Sequence, residues 1–184
     1  LSLPPKNMQV FKKQGKCIST RVGKDVRLSG VDPIPGFPCA RVGLGMAANR
    51  QEIEHLWQEM LQAMRRENAL STPGVEAAFS SVPRHMFLPE VSLNEVYSDK
   101  SIGIKYDASG LLTASSSQPS MMAIMLNQLG LEPGHNVLEI GTATGYNAAI
   151  MQHIVGKNGT VTTVEIDNDL AKQAHINLQH AKYG

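Results

Sequence analysis

Residues 137–147 read VLEIGTATGYN. An apolar run ends in an acid, and two glycines then flank a set of small hydroxylated residues. The run 137–140 has the length and branching of a short buried strand, and 145–155 carries helical spacing closed by Gly156. After the turn KNG at 157–159, residues 160–166 form a second β-branched run, and Asp167 is placed to cap a last helix. Helix, strand, helix, strand, helix in that order predicts an α/β fold with a parallel sheet and right-handed crossovers. In such a unit the turn after the first strand lies at the carboxyl edge of the sheet, where ligands bind. Glycine there lets the backbone approach a ligand closely. Glu165 ends the second strand 20 residues after Gly145, the spacing at which a carboxylate meets a ribose diol.

The charge of the turn selects among adenosine ligands. A dinucleotide site uses G-x-G-x-x-G, with helix N-terminal amides free for pyrophosphate. Here Ala143 replaces the second glycine and Tyr146 stands at the third position. Glu139, two residues before Gly141, would repel a pyrophosphate and attract a sulfonium or an α-ammonium. The pattern E-x-G-x-x-x-G therefore points to S-adenosylmethionine as cofactor rather than NAD. The plainer alternative is a glycine turn that only packs a helix close to a strand.

Upstream, Ser117 is placed to cap a helix whose apolar face is Met121, Met122, Ile124, Met125 and Leu129, with Gly130 at its end. Residues 50–67 carry Ile53, Leu56, Trp57, Met60, Leu61 and Met64 at helical spacing, read as core rather than a binding face. Thr72 and Pro73 start a second helix carrying Val75, Ala78 and Phe79, and VPRHMFLPE at 82–90 is a proline-bounded connector. Residues 1–45, rich in Gly, Pro and Lys, read as an irregular or disordered tail, and Met46 opens a different texture that would suit a chain start. The expected organisation is thus a tail over 1–45, a helical segment over 46–90, and a cofactor-binding domain over 91–184.

With 17 Lys and Arg against 16 Asp and Glu, charge gives no general attraction to nucleic acid or to an anionic membrane. No run approaches the ~18 apolar residues that span a bilayer, and the first residues hold no apolar signal core. The two cysteines, Cys17 and Cys39, make no metal-ligand pattern, and free thiols are expected. A cytoplasmic monomer without nucleic-acid, membrane or metal partners is the expectation.

Four segments in order, VPRHMFLPE, SQPSMMAIML, VLEIGTATGYNAAI and VTTVEID, resemble the protein-L-isoaspartate O-methyltransferases over about residues 70–184. The resemblance implies a Rossmann-like, S-adenosylmethionine-dependent domain that methylates a carboxylate. It implies that Glu139, Gly141 and Gly145, with Thr142 and Tyr146 in the same turn, hold the methionine end of the cofactor. Glu165 would take the ribose hydroxyls, and Ile166 would pack on adenine. Ser117 matches the serine of the family's T-I-S-x-P segment, which lies beside the reacting carboxylate. Here Ser115 and Ser116 replace the Thr-Ile pair, residues around 105–113 read as an insertion, and Ser120 stands where the family often has His or Tyr. That serine-rich form is more similar to relatives that methylate aspartates in ribosomally made peptides.

No general base is needed, because a carboxyl with a pKa near ~4 is already ionised at neutral pH. His85, His135, His153, His175 and His180 are therefore read as solvated surface, and Arg84 as either a contact to an acidic substrate or a cap or ion-pair residue. Against the family pattern the chain reads as the N-terminal part of a methyltransferase domain, truncated after the helix that follows the second strand. Three readings follow: isoaspartyl repair, with a protein or peptide substrate; aspartate methylation in a biosynthetic peptide; and a non-catalytic module.

Overall fold

A computed structural model describes residues 18–22, for which only the backbone is considered, and 50–183. Its elements are β1 (Ile18–Val22), α1 (Arg50–Arg66), α2 (Pro73–Ser81), α3 (Leu93–Val96), β2 (Ile102–Tyr106), β3 (Leu112–Ser116), α4 (Pro119–Leu129), β4 (Asn136–Ile140), α5 (Tyr146–Val155), β5 (Thr160–Glu165) and α6 (Asn168–His180). Short 3-10 turns occupy Arg84–Phe87 and Gly156–Asn158. Among the described residues, one sheet runs β1-β5-β4 and a separate hairpin pairs β2 with β3.

The expected βαβ unit is present. β4 and β5 are parallel, with Val137 opposite Val161 and Glu139 opposite Thr163. Alternation assigns the faces. Val161, Thr163 and Glu165 are buried, whereas Leu138 and Ile140 stand 51% and 84% exposed on the other face. Asp167 caps α6 as expected, its side chain accepting from the Asp169 and Leu170 amides. Gly130 closes α4 in the left-handed conformation at φ 62.

One hydrophobic cluster runs from α1 through α6. Met60, Leu61 and Met64 of α1 are buried, and Trp57 donates its ring N–H to the Phe79 carbonyl at 3.0 Å while stacking on Tyr97. The apolar stripe of α1 is thus core packing, as its spacing suggests. Val75, Ala78 and Phe79 of α2 pack into the same cluster as Ile150 and Ile154 of α5. The boundary expected at residue 90 accordingly does not divide the core.

Three expectations need correction. Ile18–Val22, assigned to an irregular tail, forms β1, antiparallel to β5 with Ile18 opposite Glu165. The outer edge of β5 presents unpaired backbone groups, and an extended segment of the chain's own backbone satisfies them. The rest of the expected tail, residues 1–17 and 23–45, lies outside the described residues, as does Met46. Secondly, residues around 105–113, expected only as an insertion, belong to a β-hairpin over 102–116. Its turn is held by Asp107, whose Oδ1 accepts from the Ser109 and Leu111 amides.

Thirdly, Ser117 does not cap α4. The N-cap position is Gln118, which makes no side-chain cap bond, and Pro119 opens the helix. The cap comes from a distant residue: Asp99 Oδ1 accepts from the Ser120 amide at 2.8 Å, and its Oδ2 from Gln118 Nε2 at 3.0 Å. Asp99→Ala should therefore cost about 1 kcal/mol in urea denaturation, the ordinary value of a lost N-cap. Ser117→Ala should stay within about 0.5 kcal/mol of the parent, as for a surface position without partners.

Candidate functional site

At the carboxyl end of β4 the chain turns sharply. Gly141 has φ +93 and donates its amide to Val164 O at 2.8 Å. A Cβ built on Gly141 would meet nothing within 4 Å, so the space above it is open. Ala143 follows at φ +48, an unusual value for a residue with a Cβ. Gly145, at φ +86, begins α5.

Two carboxylates stand at this edge. Glu139, half-buried, accepts from Thr163 Oγ1 at 2.5 Å and from Asn147 Nδ2 at 2.8 Å. Thr142 and Thr163 hydroxyls lie 2.7 Å apart. Because a hydroxyl has one proton and Thr163 commits its own to Glu139, Thr142 is the donor in that pair. Burial raises the Glu139 pKa from its ordinary value, the two hydrogen bonds oppose this, and the neighbouring Glu165 charge adds to the rise. Glu165, 9% exposed, accepts from three backbone amides: Ala143 at 3.0 Å, Ile166 at 2.9 Å and Asp167 at 3.1 Å. Among the described residues, neither carboxylate meets a Lys or Arg within ion-pair distance.

A cleft of about 380 Å³ opens beside them. Its floor is Gly141, Ala143, Glu165 and Ile166, and its wall is the β2–β3 hairpin, through Lys105, Thr113, Ala114 and Ser115. Ile166 is 92% exposed, a bare apolar side chain at the rim. Lys105 forms an ion pair with Asp167 across the cleft, which raises the Lys105 pKa and lowers that of Asp167.

The structure sorts the expected site residues. Gly141, Glu165 and Ile166 line the cleft. Glu139 and Thr142 form the hydrogen-bonded layer at the same edge without lining it. The Tyr146 side chain turns away from the cleft: it is 1% exposed and packs between Phe79 and Phe87. Gly145 lies against α6, where a Cβ would come within 3.1 Å of Leu178, so glycine permits this close packing. Ser117 is exposed, and its hydroxyl has no partner among the described residues, whereas Ser116 beside it is 4% exposed. His85 is not solvated surface. Its Nδ1 lies 2.7 Å from the Tyr97 hydroxyl, and burial lowers its pKa.

Thr163, Asn147 and Lys105 were not anticipated. Thr163 was within reach of sequence reasoning, since parallel pairing of the two strands sets it opposite Glu139.

The family model for protein-L-isoaspartate(D-aspartate) O-methyltransferase matches residues 55–184. The chain belongs to the protein-L-isoaspartate(D-aspartate) O-methyltransferase family. It is 42% identical over 106 residues to the protein-L-isoaspartate O-methyltransferase of Methanococcoides burtonii, covering 58% of this chain and 49% of that protein. It is 39% identical over 126 residues to protein-L-isoaspartate O-methyltransferase 2 of Archaeoglobus fulgidus, covering 68% and 54%. The chain thus spans about half the length of the curated relatives it matches. A solved protein-L-isoaspartate O-methyltransferase superposes with a TM-score of 0.61 and 32% identity, over 70% of this chain and 39% of the other. A second, from Plasmodium falciparum and in complex with S-adenosyl-L-homocysteine, gives 0.58 with 23% identity, over 68% and 56%, a likeness of fold.

The raised pKa of Glu139 has a consequence for stability. A carboxyl that binds its proton more tightly when folded contributes stability below its unfolded pKa, and this is lost as pH rises through the folded value. Glu139→Gln should therefore be at least as stable as the parent at pH 7. The difference should vanish near pH 4, roughly the ordinary carboxyl pKa, checked by urea denaturation at both values.

Proposed function

We propose that this protein transfers a methyl group from S-adenosylmethionine to the carboxylate of isoaspartyl residues in proteins or peptides. The observation that carries the reading is the pair of unneutralised carboxylates, Glu139 and Glu165, beside an open glycine turn and an exposed Ile166. This set suits a cationic adenosine ligand. Glu139 favours the positive charge, Gly141 leaves room for close approach, and Ile166 offers an apolar surface for a base. Glu165 already accepts three amides; a carboxylate has about four acceptor sites, so a ribose hydroxyl takes the one that remains or displaces an amide.

When bound, S-adenosylmethionine supplies a methyl group made electrophilic by its sulfonium. The chain's own part is positioning. The acceptor carboxylate is ionised at neutral pH and needs no base. Ser117, with a free hydroxyl, donates to one carboxylate oxygen and orients the other. The β2–β3 hairpin walls one side of the cleft and limits water there.

A second reading, methylation of an aspartate within a longer peptide, is favoured by the hairpin. Its turn carries Tyr106, Leu111 and Leu112 at 58%, 65% and 46% exposure, an apolar surface next to the cleft.

Assaying the intact protein with labelled S-adenosylmethionine against an isoaspartyl peptide and its aspartyl twin decides between them. The proposal expects label on the isoaspartyl peptide; label on the aspartyl twin alone selects the second reading, and label on neither removes both. Ser117→Ala should lower kcat/KM by about 10- to 150-fold, the value of one hydrogen bond to a charged group, with cofactor affinity unchanged. Ile166→Ser should leave stability unchanged and weaken cofactor binding by about 1–2 kcal/mol, measured by calorimetry.

A further inference from the structure

The β2–β3 hairpin is fastened to the rest of the protein at its base. Ile102 is buried, Ile104 packs against the core cluster, and Ser116 Oγ accepts from Arg84 Nη2 at 3.4 Å. The turn at the other end is self-contained. Asp107 accepts from the Ser109 and Leu111 amides, and Tyr106, Leu111 and Leu112 stand exposed. Between base and turn, Lys105, Thr113, Ala114 and Ser115 wall the cleft. Among the described residues, one polar contact ties this middle stretch to the opposite wall: the ion pair of Lys105 with Asp167.

The strand is irregular where that lysine stands. The register of β2 against β3 shifts between Gly103 and Lys105 and again between Lys105 and Tyr106. Ile104 and Lys105, neighbours in sequence, are both partly buried, which strict alternation would not allow. A bulge re-aims side chains in this way. Thr113 Oγ1 donates to the Lys105 carbonyl at 3.1 Å and holds the backbone there.

Asp167 divides its carboxylate between two tasks. Oδ1 accepts from the Asp169 and Leu170 amides and caps α6, while Oδ2 takes Lys105. Its own amide donates to Glu165 Oε1 at 3.1 Å, and the Ile166 amide donates to the same oxygen at 2.9 Å. The hairpin is thus tied to the short turn that presents Glu165 and Ile166 to the cleft. Backbone amides fix Asp167, so the pair restrains the hairpin rather than α6.

An ion pair whose two side chains are partly exposed adds little to global stability. Joining the two walls of one cleft gives it another consequence. We propose that Lys105 is a positioning residue of the cofactor cleft, a role that rests on the cofactor reading above. Paired with Asp167, it holds the hairpin wall against the β5–α6 turn and retains the adenosyl ligand between them. Opening of the pair then gates ligand release.

The test uses the intact protein. Labelled S-adenosyl-L-homocysteine is bound, and its release into excess unlabelled ligand is timed at low and high salt. Lys105→Met keeps an apolar stem without the charge. It should release the ligand about 2- to 5-fold faster at low salt, the range of a partly exposed ion pair. Asp167→Asn keeps a cap acceptor and should behave alike. The double variant should be no faster than either single one, because both break the same contact. Lys105→Arg should restore parental release. High salt should speed release from the parent but not from Lys105→Met. Hydrogen exchange of the ligand-free protein should show the 102–116 amides opening faster in Lys105→Met, with the α6 amides unchanged.

Parental release from Lys105→Met, additive effects in the double variant, or equal salt dependence in parent and variant overturns the proposal. Additivity would mean that each side chain touches the ligand independently. If Asp167→Asn does not fold, the salt dependence of Lys105→Met and the rescue by Lys105→Arg decide. A parent that binds no label removes the cofactor reading. Faster hairpin exchange in Lys105→Met would then still support the restraint, and unchanged exchange would remove it too.

Discussion

The parallel register that sets Glu139 opposite Thr163 is the constraint on which the ligand edge depends. Parallel strands end together, so their last residues, the turn after β4 and the acid at the end of β5 arrive at one rim. The register also gives the Glu139 carboxylate a donor on the neighbouring strand and hands the Thr163 acceptor site to Thr142. A slip of one residue would turn Glu139 to the bare face, alongside Leu138 and Ile140, and dissolve this chain. The burial of Val137 and Val161 on the covered face holds the register by the same alternation that supports the core.

Two charges of opposite sign are held in the interior at a cost. On the turn side, Glu139 is half-buried with neutral partners only. On the hairpin side, Arg84 is fully buried with carbonyl and hydroxyl partners. In the proposed reaction the methyl donor is cationic, and Glu139 supplies a negative charge at that edge. Such sites trade stability of the empty protein for discrimination between bound states.

Much of this was legible in the sequence because local rules and tertiary packing agreed. The β-branched run before Glu165, the capping Asp167 and the helix-ending Gly130 all act within a few residues of themselves. The failures share one physical character: the deciding partner was distant in the chain. Ser117 looked like a cap because serine commonly opens a helix with proline in its first turn; Asp99, 21 residues from the amide it binds, took that place. The direction of the Tyr146 side chain, in the same way, is set by Phe79 and Phe87. The hairpin over 102–116 carried a local signal in DASG, an Asx turn between two alternating runs. Reading those residues as an insertion into a family pattern hid it.

The outer edge of β4 has no neighbouring strand among the described residues, and Leu138 and Ile140 stand uncovered beside it. Met121, Met125 and Leu129 of α4 are likewise half or more exposed. A polypeptide of this span in solution therefore offers an unfinished backbone ladder together with apolar area, the combination that templates strand addition and self-association. Geometry gives that edge a further meaning. A strand paired with β4 along its length would run past Ile140 toward the rim at Gly141. The surroundings of that rim therefore depend on what occupies the edge beside it.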